Sequence, residues 1–278
     1  MNAYKRILTV QDISCIGQCS LTVALPILSA CGVETGILPS AVLSTHTGGF
    51  SGYTFRDLTE DMPGIMAHWE KEGIRFDAFY TGYLGSEKQI GYVRELFARL
   101  PKEGALRIVD PAMADNGKLY YGFDESFAAS MATLCGSADI ILPNITEACY
   151  LTKTPYREKA DEAFVDELLS KLTALGAGSI VMTGVAFTEG KTGVLVYENG
   201  KKWRYEHEKI SKGCHGTGDV YASAFVGALL NGKSKCEAAQ LAADYVVDCI
   251  RATVDDPQHW YGVKFEIPLG TFARRLGR

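Results

Sequence analysis

The chain reads as an α/β protein built on an open, mostly parallel sheet with helices on both faces. Three observations predict this. Short apolar runs alternate with amphipathic stretches nearly throughout, as in sheets whose strands are covered on both faces by crossover helices. Polar clusters recur just past those runs, at the carboxyl ends where open parallel sheets hold ligands. Late in the chain a glycine-rich stretch, Ser211 to Asp219, opens directly into an apolar helix rich in small residues.

The elements follow in order. Arg6–Val10 is the first expected strand, Leu21–Cys31 a helix stopped by Gly32, and Val33–Leu38 the second strand. Residues 60–72 place Met62, Ile65, Met66 and Trp69 at helical spacing. Phe76–Thr81 is a strand, and Glu87–Leu100 a helix with Ile90, Val93, Leu96 and Phe97 on one face. Leu106–Val109, Asp139–Leu142 and Ser179–Thr183 are further buried strands, separated by helices at 124–135 and 160–175. Thr192–Tyr197 and Lys202–Glu206 flank Glu198-Asn199-Gly200, an Asn-Gly hairpin signal. Two helices close the pattern: Val220–Leu230, ended by Asn231-Gly232, and Cys236–Val254.

Size and composition limit the function classes. A chain of 278 residues without repeats or linkers suits one domain, residues 1–278. It is 47% hydrophobic and 22% charged, with net charge -5 and no basic run longer than two residues. A nucleic-acid partner would want a clustered basic face, and no apolar stretch is long enough to cross a bilayer. Residues 1–6 lead into the first strand without a signal-peptide core. Eight scattered cysteines form no CxxC pair, which speaks against a zinc site or disulfide scaffold and for a reducing cytoplasm.

The chemistry gathers at strand ends. Gly213, Gly216 and Gly218 let the backbone turn tightly before a helix N-terminus, where unshielded amides bind anions, most often phosphate. Asp219 sits in that loop. It is either a helix cap or an acid with a task, such as taking a proton from an attacking hydroxyl. The helix end should lower its pKa, making it a weak base that suffices if the proton moves late. Asp110-Pro111 follows the fourth strand, with Asp115 close behind, and Pro111 keeps Asp110 out of helical geometry. Asn144 and Glu147 share a helix face and read equally as a capping box. Gln11-Asp12, Thr81-Gly82-Tyr83 and Thr183-Gly184 occupy other strand ends, and Ser44-Thr45-His46-Thr47-Gly48-Gly49 follows the strand-like Ala41-Val42-Leu43. Most of the cysteines read as packed spectators, although Cys15, Cys19 and Cys214 invite the idea of thiol addition to an aldehyde. Lys212 is either a phosphate cation or a solvated lysine.

Gly216-Thr217-Gly218-Asp219 resembles the GTGD signature of the ribokinase-like superfamily of small-molecule kinases. The resemblance implies Asp219 as catalytic base, with Gly216, Thr217 and Gly218 forming the anion hole. Asp110 to Asp115 resembles the DPVxGD segment of its vitamin kinases, and Asn144 to Glu147 the NxxE motif. Asp110, Asp115, Asn144, Glu147, Thr183 and Gly184 are then expected on the ATP side, with Asp110 and Glu147 serving Mg²⁺. Ser44 to Gly49 resembles the SNHTGY motif of pyridoxal kinases, and Thr81-Gly82-Tyr83 their TGY segment. His46, Thr47 and Tyr83, with Asp12 and Ser14, would line the substrate pocket, and Leu119-Tyr120-Tyr121 lies where the family carries a pocket-side tyrosine. Asp12 stands where Ser is usual, which bears on the choice of vitamer.

The chain as a whole is similar to the pyridoxal/pyridoxamine kinase branch. That resemblance implies transfer of phosphate from ATP to the 5′-hydroxymethyl group of a B6 vitamer, with Mg²⁺ and a monovalent cation, in a cytoplasmic homodimer. Hydroxymethylpyrimidine kinase, a sugar or nucleoside kinase, and a non-catalytic B6 or nucleotide binder are the rival readings.

Overall fold

A computed structural model describes residues 4–210 and 214–278. The first half contains β1 (Arg6–Ser14), α1 (Leu21–Ala30), β2 (Glu34–Leu43), β3 (Phe55–Asp57), α2 (Met62–Lys71), β4 (Phe76–Thr81), α3 (Glu87–Arg99) and β5 (Pro101–Val109). Next come β6 (Ala114–Asp115), β7 (Lys118–Leu119), α4 (Glu125–Cys135), β8 (Ile140–Ile141), α5 (Ile145–Leu151) and α6 (Glu162–Ala174). The remainder is β9 (Ser179–Thr183), β10 (Lys191–Glu198), β11 (Lys201–Glu208), α7 (Thr217–Leu230), α8 (Lys235–Thr253) and α9 (Glu266–Arg275).

The described residues form a nine-stranded sheet of order β11-β10-β9-β8-β5-β4-β1-β2-β3. Its six central strands, β9 to β2 in that order, run parallel, while β10 and β11 at one edge and β3 at the other are antiparallel. Side chains alternate across the sheet. Leu8, Val10, Phe79, Val109, Ile141 and Met182 face a core made with α2 to α6. Ile7, Ala78, Tyr80, Ile108, Ile140 and Val181 face a second core made with α1, α7, α8 and α9. This double burial is why the parallel strands read as unbroken apolar runs. Each fully buried side chain such as Ile27 or Phe225 contributes about 1.5–3 kcal/mol.

The expected hairpin is present, with Asn199 at φ 51° and Gly200 at φ 76°, the positive pair of a type I′ turn. Several elements differ from the sequence reading. β1 continues to Ser14, so Gln11, Asp12 and Ser14 belong to its last residues rather than to a loop. β2 runs unbroken through Pro39, and its register with β1 shifts between Gln11 and Ile13. That irregularity accommodates a residue with no N–H to give. The β6–β7 hairpin turns on Asn116 and Gly117, both at positive φ, a second Asn-Gly signal that the sequence reading passed over. Helix α9 was also unforeseen; its Phe272 is buried against the second core.

Strand order places the ligand crevice. From β1 the chain first moves to β2 on one side, then crosses to β4 on the other. The two connections diverge above the carboxyl ends of β1 and β4, where doubly wound sheets bind ligands. Asp12 lies at one lip of that crevice and Thr81-Gly82-Tyr83 at the other.

Candidate active site

The glycine-rich loop delivers what its composition requires. Gly216 is the N-cap of α7 at φ 75° and has no side chain with which to cap it. The amides of Thr217, Gly218 and Asp219, in the first turn, have no partner within the helix itself. A Cβ on Gly216 would lie 1.7 Å from the carbonyl oxygen of Gln18. This position is thus closed to any other residue by sterics as well as by φ. Ser211, Lys212 and Gly213 lie outside the described residues, so Lys212 has no structural account.

Asp219 is the third residue of α7, an acid in its first turn and not its N-cap. The Ser20 backbone N–H and the Cys19 thiol both turn toward its carboxylate, and Asp12 and Asp110 are its acidic neighbours. The expected lowering of its pKa does not hold. Burial, reinforced by the charge on Asp12, outweighs these donors and pushes Asp219 up to about 7. An acid poised there is a better base at neutral pH than the sequence reading allowed.

Asp110 ends up beside Asp219 although their motifs are far apart in sequence. Burial and the Asp219 charge raise it to about 7, against one backbone donor from Ala112 at 3.1 Å. Glu147 is buried next to Asp110, and both effects hold its carboxyl well above the usual range. The capping box predicted at Asn144 is real: Asn144 Oδ1 accepts from the Glu147 amide, and Glu147 Oε2 from the Asn144 amide, both at 2.9 Å. Glu147 Oε1 also accepts from the Met113 amide at 3.1 Å, and Asn144 Nδ2 donates to the Ala114 carbonyl at 2.8 Å. The box pins the segment after Asp110 onto the start of α5.

Asp12, Asp219, Asp110 and Glu147 thus form a row of carboxylates across the strand ends, each interacting with the next. Tyr120 overlooks the inner part of the row, with Glu147, Asp115, Asp219 and Asp110 as its charged neighbours. Tyr121 is 93% exposed, so Tyr120 is the pocket-side member of the pair. Such a row gathers protons unless a cation joins it. A hard divalent ion takes oxygen ligands and needs only one or two carboxylates beside phosphate and water, so Asp110 and Glu147 fit Mg²⁺ carried with a nucleotide. Among the described residues no group of three or more His, Cys, Asp or Glu is placed to hold a metal ion. Phosphate and water would have to complete its shell.

Asp115 is exposed and receives the Asn116 backbone and side-chain N–H groups at 2.8 and 2.9 Å, shaping the β6–β7 turn. Thr183 joins Asn144 by an isolated parallel bridge, which brings these two expected nucleotide-side residues together. Gly184 follows at φ 74°, exposed at the same end of the sheet.

On the other side, Asp12 is 4% exposed and accepts from Ser14 Oγ at 2.8 Å, with the Ser20 hydroxyl also turned to it. Burial still raises its pKa. Tyr83 is pushed up to about 12 by burial and by the charge on Asp12, and its ring lies 5.4 Å from that of Phe123. His46 is buried with both nitrogens occupied. The Gly48 N–H donates to Nδ1 at 3.0 Å, so Nε2 carries the proton and donates to the Tyr261 carbonyl at 2.6 Å. Its neutral form is further favoured by burial. His46 accordingly clamps loop 44–50 to the C-terminal segment, where Phe50 packs against Trp260 at 4.7 Å between ring centres. It has only its ring face left to offer a ligand. Thr47 is exposed beside it.

Three features escaped the sequence reading. Ser20 has φ 54° and ψ -132°, near the first central position of a type II′ turn that glycine dominates. Such strain costs about 1–3 kcal/mol, and nothing in a sequence announces it. Tyr80 and Ser223 are wholly buried beneath Asp110 and Asp219, and Tyr80 faces Ser223 and Gln11 without a short hydrogen bond. Ser223 was within reach of inference, since it lies one helical turn after Asp219. Of the three thiols, Cys19 alone shows a reason against aldehyde addition. Cys19 is held neutral by burial and by the charge on Asp219, while Cys15 is exposed and Cys214 half-buried.

An open parallel sheet with a glycine turn at a helix start and a row of buried carboxylates beside it fits a ribokinase-like phosphotransferase acting on a hydroxyl group. The family model described as phosphomethylpyrimidine kinase matches residues 56–263, and the chain belongs to that family. A Bacteroides thetaiotaomicron protein, described as a candidate phosphomethylpyrimidine kinase and solved with pyridoxal, superposes with a TM-score of 0.91. It is 36% identical, covering 99% of this chain and 96% of its own. Pyridoxal kinase from Lactobacillus plantarum gives a TM-score of 0.90 at 30% identity, covering 98% of this chain and 97% of that one. Among curated proteins, a pyridoxal kinase of Granulibacter bethesdensis is 28% identical over 262 residues, 90% of each chain.

Proposed function

We propose that this chain transfers the γ-phosphoryl group of ATP to the 5′-hydroxymethyl group of pyridoxal, pyridoxine or pyridoxamine. The observation that carries this is the relative solved with pyridoxal, which is 36% identical along 99% of this chain. The crevice between β1 and β4 suits a flat, polar heteroaromatic, with Tyr83 and Asp12 at its walls and Asp219 below.

Asp219 accepts the hydroxyl proton as the alkoxide oxygen attacks the γ-phosphorus. The bond to the β-phosphate oxygen breaks, and ADP leaves with that electron pair. The amides of Thr217, Gly218 and Asp219 face the charge spread over the moving phosphoryl oxygens. Positioning and electrostatics dominate such transfers. Asp110 and Glu147 would hold Mg²⁺, which would supply charge neutralisation to the phosphates. Asn144 and Thr183 form the nucleotide-side wall. The exposed apolar Ile16 and Phe55 near edge strand β3 support a homodimer, and the eight free cysteines support a cytoplasmic setting. We treat the chain as one kinase domain.

The family description names a phosphomethylpyrimidine kinase, which makes hydroxymethylpyrimidine the rival to test, although the pyridoxal-bound relative and the pyridoxal kinases favour a B6 vitamer. Steady-state turnover of the three vitamers and hydroxymethylpyrimidine separates the two. We expect kcat/KM to favour at least one vitamer; exclusive turnover of the pyrimidine would overturn the B6 reading. Binding of B6 and ATP with no product formed would mark a non-catalytic binder.

A further inference from the structure

Three other chain segments meet at the buried His46. Its own backbone N–H donates to the Ile16 carbonyl at 3.2 Å, and its ring lies against Gly17, where any Cβ would overlap it. Nε2 holds the Tyr261 carbonyl at 2.6 Å. Next to Tyr261 stands Gly262, packed so closely on Gln18 that a Cβ there would overlap the Gln18 side chain. Gln18 Nε2 also donates to Glu266 at 3.0 Å, at the start of α9. The Gln18 carbonyl in turn rests on Gly216, the N-cap of α7. A second route is shorter. His215, the residue before Gly216, has its ring centre 5.5 Å from that of His46, and its ring fills the space beside Gly48.

We infer that His46 is a positioning residue: by pinning residues 261–262 onto residues 16–18, it fixes the glycine turn that starts α7. The inference rests on the kinase reading for its kinetic consequence, though not for its structural one. His46 then acts on the chemical step, through the amides of Thr217, Gly218 and Asp219, rather than on vitamer binding alone. Its chemistry suits the task. A neutral imidazole accepts from the Gly48 N–H at one nitrogen and donates to Tyr261 from the other, so one ring spans two bonds that asparagine and glutamine can copy only singly.

Two variants separate the halves of the clamp. His46→Asn keeps an acceptor for the Gly48 amide but cannot reach Tyr261; kcat should fall about 10- to 100-fold, the scale of misplaced reacting groups, with the vitamer KM changed less. His46→Gln reaches the Tyr261 carbonyl and gives up the Gly48 bond; its kcat should stay within about three-fold of wild type. The Val220 amide donates to the Gly216 carbonyl at 3.0 Å, so its hydrogen exchange reports the closure of the turn. That exchange should quicken in His46→Asn and not in His46→Gln. A ring that merely contacts the vitamer would raise its KM alike in both variants and leave kcat and Val220 exchange unchanged, and that result overturns the inference. Equal kcat in the two variants, or unchanged Val220 exchange in His46→Asn, overturns it as well. Gly262→Ala crowds Gln18 without altering His46; it should lower kcat and quicken Val220 exchange in the same way, and it decides the matter if His46→Asn does not fold. Should the wild-type protein phosphorylate no vitamer, the functional reading falls by itself, and Val220 exchange then decides His46 alone.

Discussion

Asp219 illustrates how far a single residue can be read. Its place in a Gly-Thr-Gly-Asp run is visible in the sequence; its proton affinity is not, because that comes from residues 12, 19, 20 and 110 closing over it. With the base near 7, kcat/KM should rise with pH up to about 7 and then level, since the protonated acid cannot accept the substrate proton. A flat profile from pH 5.5 to 8 would remove Asp219 as the base. Asp219→Asn keeps shape and charge-free packing, so turnover should drop about 10²–10⁴-fold with ATP affinity largely retained, measured by nucleotide titration. At the opposite lip, Asp12→Ser should change the ratio of kcat/KM among the three vitamers more than it changes the KM for ATP. An unchanged vitamer ratio would make Asp12 a structural acid.

Local elements were legible where backbone chemistry is local. Gly32, Asn199-Gly200 and Asn231-Gly232 end helices or turn strands by conformations written into those residues. The short strand β3, whose three residues are all exposed, carries no apolar pattern and could not have been found that way. The start of α7 is an intermediate case, since the glycines are visible but their tight fit against residues 18 and 19 is not. Gly216→Ala should combine left-handed strain with overlap against the Gln18 carbonyl, costing about 2–4 kcal/mol. Urea unfolding should show that loss, accompanied by near-complete loss of kinase activity. A fully active and stable variant would mean that the loop does not need its observed shape.

For the molecule as a whole, the acid row links stability to protons and ligands. Asp110 and Asp219 rise from 3.8 to about 7 on folding, so between those values the folded protein binds protons that the unfolded chain has released. Their contribution to stability is therefore fullest below about 4 and declines as pH rises toward and through about 7. Asp110→Asn should stabilise the ligand-free protein at pH 8 while raising the Mg²⁺ concentration needed for half-maximal rate. Mg²⁺ with ATP should lift the wild-type Tm more at pH 8 than at pH 6. Equal shifts at both pH values would show that the row does not titrate as a unit with the cation. The three-layer arrangement behind this was readable because both sheet faces are apolar. The row itself was not, since it joins segments that meet only in the finished fold.

Strand order also sets a timetable. After β4, each new strand of the main sheet is laid against the previous edge, through β5, β8, β9, β10 and β11, so that sheet can grow in step with the emerging chain. Catalysis cannot. Gly216 must close on Gln18, and at ribosomal speeds of about 5–20 residues per second the second partner appears roughly 10–40 s after the first. A nascent chain halted before α7 would possess every strand of the main sheet, Asp110 and Glu147, yet lack Asp219, the proposed base. With Asp219 as the base, the half-made protein would be kept from transferring phosphate until synthesis is almost complete.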